Sequence, residues 1–217
     1  LRYSNIFAMN RIGNGDTVES GASVSLGLEF EKTNLVRQKT FGIKIANSLK
    51  TKENNNLPAD STLNKTRSDL VGGLYYKPNE MFEIEYTFNA NRDLDYSNED
   101  FISTNIKINN FETKFNYHLK HNDLAEHEHI TNQTSYILDE RSKLSYETAK
   151  DINTDFREYH NFFYNYESDC LSVDLEYKKT FYTTGNVKPD ESVFLLIRFI
   201  PFAELRAKDT GLQNQWK

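Results

Sequence analysis

Few residues in this chain are spaced for chemistry. His127 and His129, with Glu126 and Glu128, stand in the run AEHEHI, where imidazole and carboxylate groups alternate as ligands of a divalent metal would. Two histidines at that spacing lack the third and fourth ligands of a closed site, so the run reads as solvated loop with no metal. Glu83 and Glu85 share one parity of an alternating segment. Two neighbouring carboxyls can serve as general acid and base, but in a water-filled setting both are simply solvated. There is no glycine-rich phosphate loop, no Ser-His-Asp order and no helical HExxH. No catalytic residue is assigned and no cofactor is expected. Arg198 interrupts the otherwise apolar run from Val193 to Ile200. Facing water it would meet a phosphate or pair with a carboxylate; facing lipid at mid-depth it would cost about 2–4 kcal/mol. Cys170 is the only cysteine, which excludes an internal disulfide.

The elements that must position these residues follow from composition and alternation. The 217 residues are 37% hydrophobic and 27% charged, with a mean hydropathy of -0.72. The longest apolar run, Val193 to Ile197, is far short of the roughly 18 residues a membrane helix needs. A membrane β-barrel stays open, because its strands are apolar only at alternate positions. A net charge of -6 and a pI near 5.5, with no basic stripe, argue against nucleic acid as a partner. Aromatics at 13%, with 4 Pro and 9 Gly, favour strands.

The segment VESGASVSLGLEFEK places Val18, Ala22, Val24, Leu26, Leu28 and Phe30 on one parity and small or acidic residues on the other. Successive strand side chains point to opposite faces, so this pattern makes one oily and one wet face. The alternation recurs at Phe41, Ile43 and Ile45; at Phe82 to Phe88; at Ile102 to Ile108; at Phe111 to Leu119; and at Leu171 to Tyr177. Weaker candidates lie around 67–77, 129–138, 141–150 and 156–167. The last candidate is Ser192 to Ile200. The total is about eleven strands, most of ten residues or more, whereas soluble strands run about five or six.

The connections alternate in length. Short ones fall near 32–36, 77–80, 109–110, 139–140 and 167–169, and longer polar ones at 51–66, 93–100, 122–129, from 151 and at 183–191. Tight turns at one end and long loops at the other are the signature of an up-and-down transmembrane β-barrel. The expected fold class is therefore all-β and antiparallel. An odd strand count suggests a fragment holding the C-terminal strands, because single-chain bacterial barrels have even numbers. The start at Leu1, without Met or signal pattern, also reads as a processed end or a fragment. The expected division is an outer loop at 1–17, barrel strands at 18–202 and a periplasmic tail at 203–217.

Three stretches resemble the C-terminal barrel of the LPS-assembly protein LptD family, the outer-membrane lipopolysaccharide translocon. NIFAMNRIGNGDTVESGASVSLGLEF is similar to that family's Asn-aliphatic-Phe, Arg, Gly-Asp and Glu-x-Gly pattern running into a strand. RSDLVGGLYYKPNEMFEIEYTFNANRDL resembles its hairpin with a Pro-containing turn. YESDCLSVDLEYKKTFYTTGNVKPDESVFLLIRFIPF resembles its final hairpin and is the most specific of the three.

The resemblance implies an integral barrel of the Gram-negative outer membrane that delivers lipopolysaccharide through a lateral gate between first and last strands. It implies as partners an LptE-type lipoprotein plug and an LptA-type periplasmic bridge, the latter reached through an N-terminal jellyroll. On that reading the gate strand comprises Ser192, Val193, Phe194, Leu195, Leu196, Ile197, Arg198 and Phe199, with Pro201 either marking the seam or merely ending the strand. Cys170 is either a lone half-buried thiol or the partner of a cysteine in an N-terminal region. A porin-like channel and a soluble β-rich binding or adhesin protein are the alternatives.

Overall fold

The computed structural model describes residues 1–9, 11, 19, 21–36, 38–54, 57, 61–121, 126–181 and 189–199, and the backbone of 203–209. Alternation becomes strand almost everywhere it was expected. The strands are β1 (Ser23–Asn34), β2 (Lys39–Lys50), β3 (Leu70–Asn79), β4 (Phe82–Ala90), β5 (Ser97–Ile108) and β6 (Phe111–His121). They continue as β7 (Glu126–Ile137), β8 (Ser142–Asp151), β9 (Phe156–Glu167), β10 (Leu171–Thr180), β11 (Glu191–Phe199) and β12 (Ala203–Asp209). Each strand hydrogen-bonds the strands next to it in sequence. This is the up-and-down order the alternation implies.

Three expectations are corrected. Glu126 to His129 belong to β7 rather than to a loop, and β5 already begins at Ser97. The connections at 122–125 and 152–155 are consequently no longer than the one at 138–141, and the clear long connections are 51–69, 91–96 and 181–190. The reason is physical: a strand with one face in water is polar at every second position, and near its end it reads like a loop. Finally, Ala203–Asp209, expected as tail, pairs with β11, from Val193↔Asp209 to Phe199↔Ala203.

The chain forms two compact units, one of Leu1–Thr104 with Tyr117–Glu128 and one of Asn105–Asn116 with His129–Lys217. In the first unit Leu28 lies across from Ile45 and Phe30 across from Ile43, and Ile43 across from Leu74. These apolar side chains are exposed. The other face sets Ser25 opposite Ser48, Gly27 opposite Ala46 and Glu29 opposite Lys44. In the second unit the oily rows are Tyr164, Leu175, Leu195 and Phe162, Tyr177, Val193, while Gln133 and Ser135 face Glu147 and Ser145 on the wet side. Contiguous exposed apolar faces of this kind belong against lipid or a partner, since monomers in water rarely carry them.

Local chemistry supports the hairpins. The two-residue connection between β5 and β6 puts Asn109 in the left-handed region, at φ 52, where Asn is among the few side chains that sit comfortably. At Gly72 of β3 the absent side chain matters in another way. A Cβ there would lie 2.5 Å from the Lys44 carbonyl oxygen and 2.8 Å from the Phe88 ring, which packs over the glycine. Gly72→Val should therefore destabilise the protein by about 1–3 kcal/mol, as overpacking does. Urea unfolding in detergent, followed by circular dichroism, measures the loss.

Candidate functional site

The wet face of the first unit is where polar chemistry collects. Its small residues make room for the start of the chain. Ile6 is fully buried against Ala46 and Val71, with Leu1 and Tyr3 packed around them. The Ser25 hydroxyl donates to the Ile6 carbonyl at 2.9 Å, the Asn89 amide donates to the Leu1 carbonyl at 2.9 Å, and the Tyr3 hydroxyl donates to Glu29 at 3.2 Å. Gly27 accommodates Phe7, whose Cζ lies 2.6 Å from where a Cβ would be. The described part of the expected outer loop, residues 1–9 and 11, thus folds onto the sheet.

Several charges on this face are paired. Arg2 meets Glu99 at 2.5 Å, and His118 reaches the same carboxylate at 2.8 Å. Lys44 lies 3.3 Å from Glu85 and Lys77 lies 3.6 Å from Glu83. Glu83 and Glu85 are therefore lysine partners rather than an acid and base pair. The most buried ion pairs among the described residues join Arg11, Glu19 and Lys50. Lys50 Nζ is 2.5 Å from Glu19, with side-chain exposures of 3% and 7%. Arg11 pairs with Glu19 and also donates to the hydroxyls of Ser23, Ser25 and Ser48. Burial raises the Glu19 carboxyl, but hydrogen bonds from Arg11 and Lys50 outweigh it and hold the group below the usual glutamate value.

Periodicity alone did not single out this network. Arg11 and Glu19 are nonetheless the Arg and the Glu of the motif on which the first family resemblance rests. The motif was visible, but its role was not, because the pairing spans residues 8 and 31 positions apart.

The second unit holds the other candidate residues. In β11, Val193, Leu195, Ile197 and Phe199 share the oily parity, while Ser192, Phe194, Leu196 and Arg198 take the other. Arg198 lies 3.1 Å from Asp174 and donates to the Ser172 hydroxyl at 3.4 Å. Asp174 also accepts from the Asn165 amide at 2.7 Å. The arginine thus shares a face with Asp174 and Ser172. β11 is hydrogen-bonded on both sides, by β10 and by β12. Pro201 and Ile200 lie outside the described residues. Cys170 is exposed in the tight turn between β9 and β10. His127 and His129 share a parity on β7, and His129 Nδ1 lies 3.1 Å from Glu158 of β9.

Two surfaces result in each unit: one that lipid tails satisfy, and one with both signs of charge, amides and hydroxyls that water or a polar headgroup satisfies. The model of the family LptD, LPS transport system D, matches residues 1–143. The hairpin at 166–202 lies beyond that match. No curated protein matches the chain. Similar solved structures include a triple mutant of the Rhodopseudomonas blastica porin, at 7% identity and TM-score 0.49, over 86% of this chain and 83% of that one. A second mutant of that porin aligns at 6% identity and TM-score 0.47, over the same shares of each chain.

Proposed function

The chain belongs to the LptD family, and on that premise we propose that its C-terminal strands form the side exit through which lipopolysaccharide reaches the outer leaflet. At family level it is an integral β-barrel of the outer membrane serving lipopolysaccharide transport, a transport component and not an enzyme. The observation that carries the mechanism is the division of each sheet face. Acyl chains fit the exposed apolar rows, and a charged, phosphate-bearing headgroup fits the wet face, so one amphipathic lipid can keep both parts satisfied while it moves sideways.

In this reading the end of the strand order that carries 51–69, 91–96 and 181–190 points outward and the opposite end, with its tight turns, to the periplasm. The seam lies at the C-terminal end of the strand order. Because β11 is paired on both sides, its residues Ser192 to Phe199 back the seam, and β12 stands last in the order of the described strands. Arg198, on the wet face beside Asp174, supplies a cation that can exchange its carboxylate for a lipid phosphate. An LptE-type plug would sit on the wet side, and an LptA-type bridge would deliver from the periplasm. Cys170, exposed at a short turn, would face the oxidising compartment where a disulfide to an N-terminal segment can form.

The test uses depth. Phe199 and Phe41 both lie near the short-turn ends of their strands, on the oily parity, where the inner leaflet holds no lipopolysaccharide. Each is replaced in turn by a photo-crosslinking phenylalanine analogue in living cells. A lipopolysaccharide adduct at Phe199 and none at Phe41 is expected. No adduct at Phe199, or equal adducts at both, overturns the gate.

A further inference from the structure

An unassigned cluster lies at the long-loop end of the second unit, drawn from three neighbouring strands. His129 of β7 is the Cα partner of Asp151 of β8, so their side chains leave the sheet on the same face. Regular pleating would keep Glu158 of β9 away from them. Ala149 pairs with Tyr159, which puts Tyr159 on the Asp151 face and its neighbour Glu158 on the opposite one. The register breaks at this point: Ala149 faces Tyr159, whereas Lys150 faces Arg157. Glu158 is the extra residue of a β-bulge, and bulges re-aim side chains. Nδ1 of His129 therefore lies 3.1 Å from Oε1 of Glu158. One ligand atom from each of His129, Asp151 and Glu158 falls within 4.8 Å of the others, all three residues being half-buried.

We propose that His129, Asp151 and Glu158 form a divalent-cation site that takes a zinc-type ion. An imidazole nitrogen with two carboxylates is a donor set for such an ion, with water completing a tetrahedron. Ligand atoms around zinc stand about 3.3 Å apart when bonds are about 2.0 Å, close to the spacing His129 and Glu158 already have. Two carboxylates and a neutral imidazole balance a charge of two. The competing cation is engaged elsewhere, since Lys150 pairs with Asp155. Asp151 is held in place by the Thr154 backbone N–H, which donates to its Oδ1 at 3.0 Å. The ion would cross-link β7, β8 and β9 where the connections 122–125 and 152–155 leave the sheet.

The experiment titrates the full chain, purified in detergent and stripped with chelator, with Zn²⁺ alone, and counts bound zinc by equilibrium dialysis and elemental analysis. One equivalent is expected. His129→Ala, Asp151→Asn and Glu158→Gln should each weaken binding at least about tenfold, because even supporting groups outside the ligand set cost that much. His127→Ala and Glu126→Gln, exposed neighbours on the same strand, should bind as the parent does. Circular dichroism separates lost binding from lost folding, and X-ray absorption should find one nitrogen and two carboxylate ligands. No stoichiometric zinc, or equal losses in the His127 and His129 variants, overturns the site.

Discussion

Replacing Glu19 by alanine is expected to remove about 3–5 kcal/mol of stability, the cost of breaking a buried ion pair from one side. The variant leaves two cations, Arg11 and Lys50, facing each other with side chains only 3% exposed. Lys50 retains its hydrogen bond to the Leu63 carbonyl, and Arg11 retains its serines. Those bonds satisfy donors without neutralising charge, so the loss persists in high salt, which screens surface pairs and not buried ones. The start of the chain should come loose with it. Trypsin cleavage after Arg11, which is 7% exposed in the parent, should rise in the variant and gives a second readout beside urea unfolding. A loss below about 1 kcal/mol, within the range of exposed pairs, would mean the network is only a surface feature.

The same carboxylate sets a pH dependence. Its folded value is held below the usual one near 4.5. A depressed acid contributes stability that is complete above the unfolded value and is lost as pH falls through the folded value. The parent should therefore weaken below about pH 4.5. The Glu19→Ala variant should lack that part of the acid sensitivity.

The second large effect separates the two faces. Leu175 and Glu176 are adjacent in the middle of β10, at the same depth and on opposite parities. Leu175 is exposed on the apolar side, at 41%, across from Leu195. Leu175→Arg should cost about 2–4 kcal/mol and reduce the folded fraction in lipid bilayers, because it places a charge among acyl chains. Glu176→Arg, half-buried on the other face, should cost clearly less, about 1 kcal/mol or under. Folding into vesicles of defined lipid, followed by urea titration, measures both. Equal effects would mean that the apolar rows do not meet lipid.

Much of this fold was legible because alternation is local. Val24, Leu26, Leu28 and Phe30 declare a two-faced strand within eight residues, and the strand needs no partner to do so. Polar strand ends were legible only in part. Glu126 to His129 read as loop because their wet neighbours made both parities polar, and only pairing with β8 shows them to be strand. The segment 203–209 gave little alternation of its own, and its pairing with β11 decided it.

The sequence by itself determined the strand periodicity, the oily and wet parities, and the Arg11 and Glu19 motif that ties the chain to its family. Tertiary structure alone decided what those residues meet. Lys50 joins Glu19 from another strand, residues 1–9 lie across the wet face, and a one-residue bulge turns Glu158 toward His129. The carboxylates beside His129, Asp151 and Glu158, are not visible from the AEHEHI run because they come from β8 and β9. Side-chain direction follows a period of two that any reader of the sequence can count, whereas register and bulges depend on which strands pair, and that is settled only when the whole sheet forms.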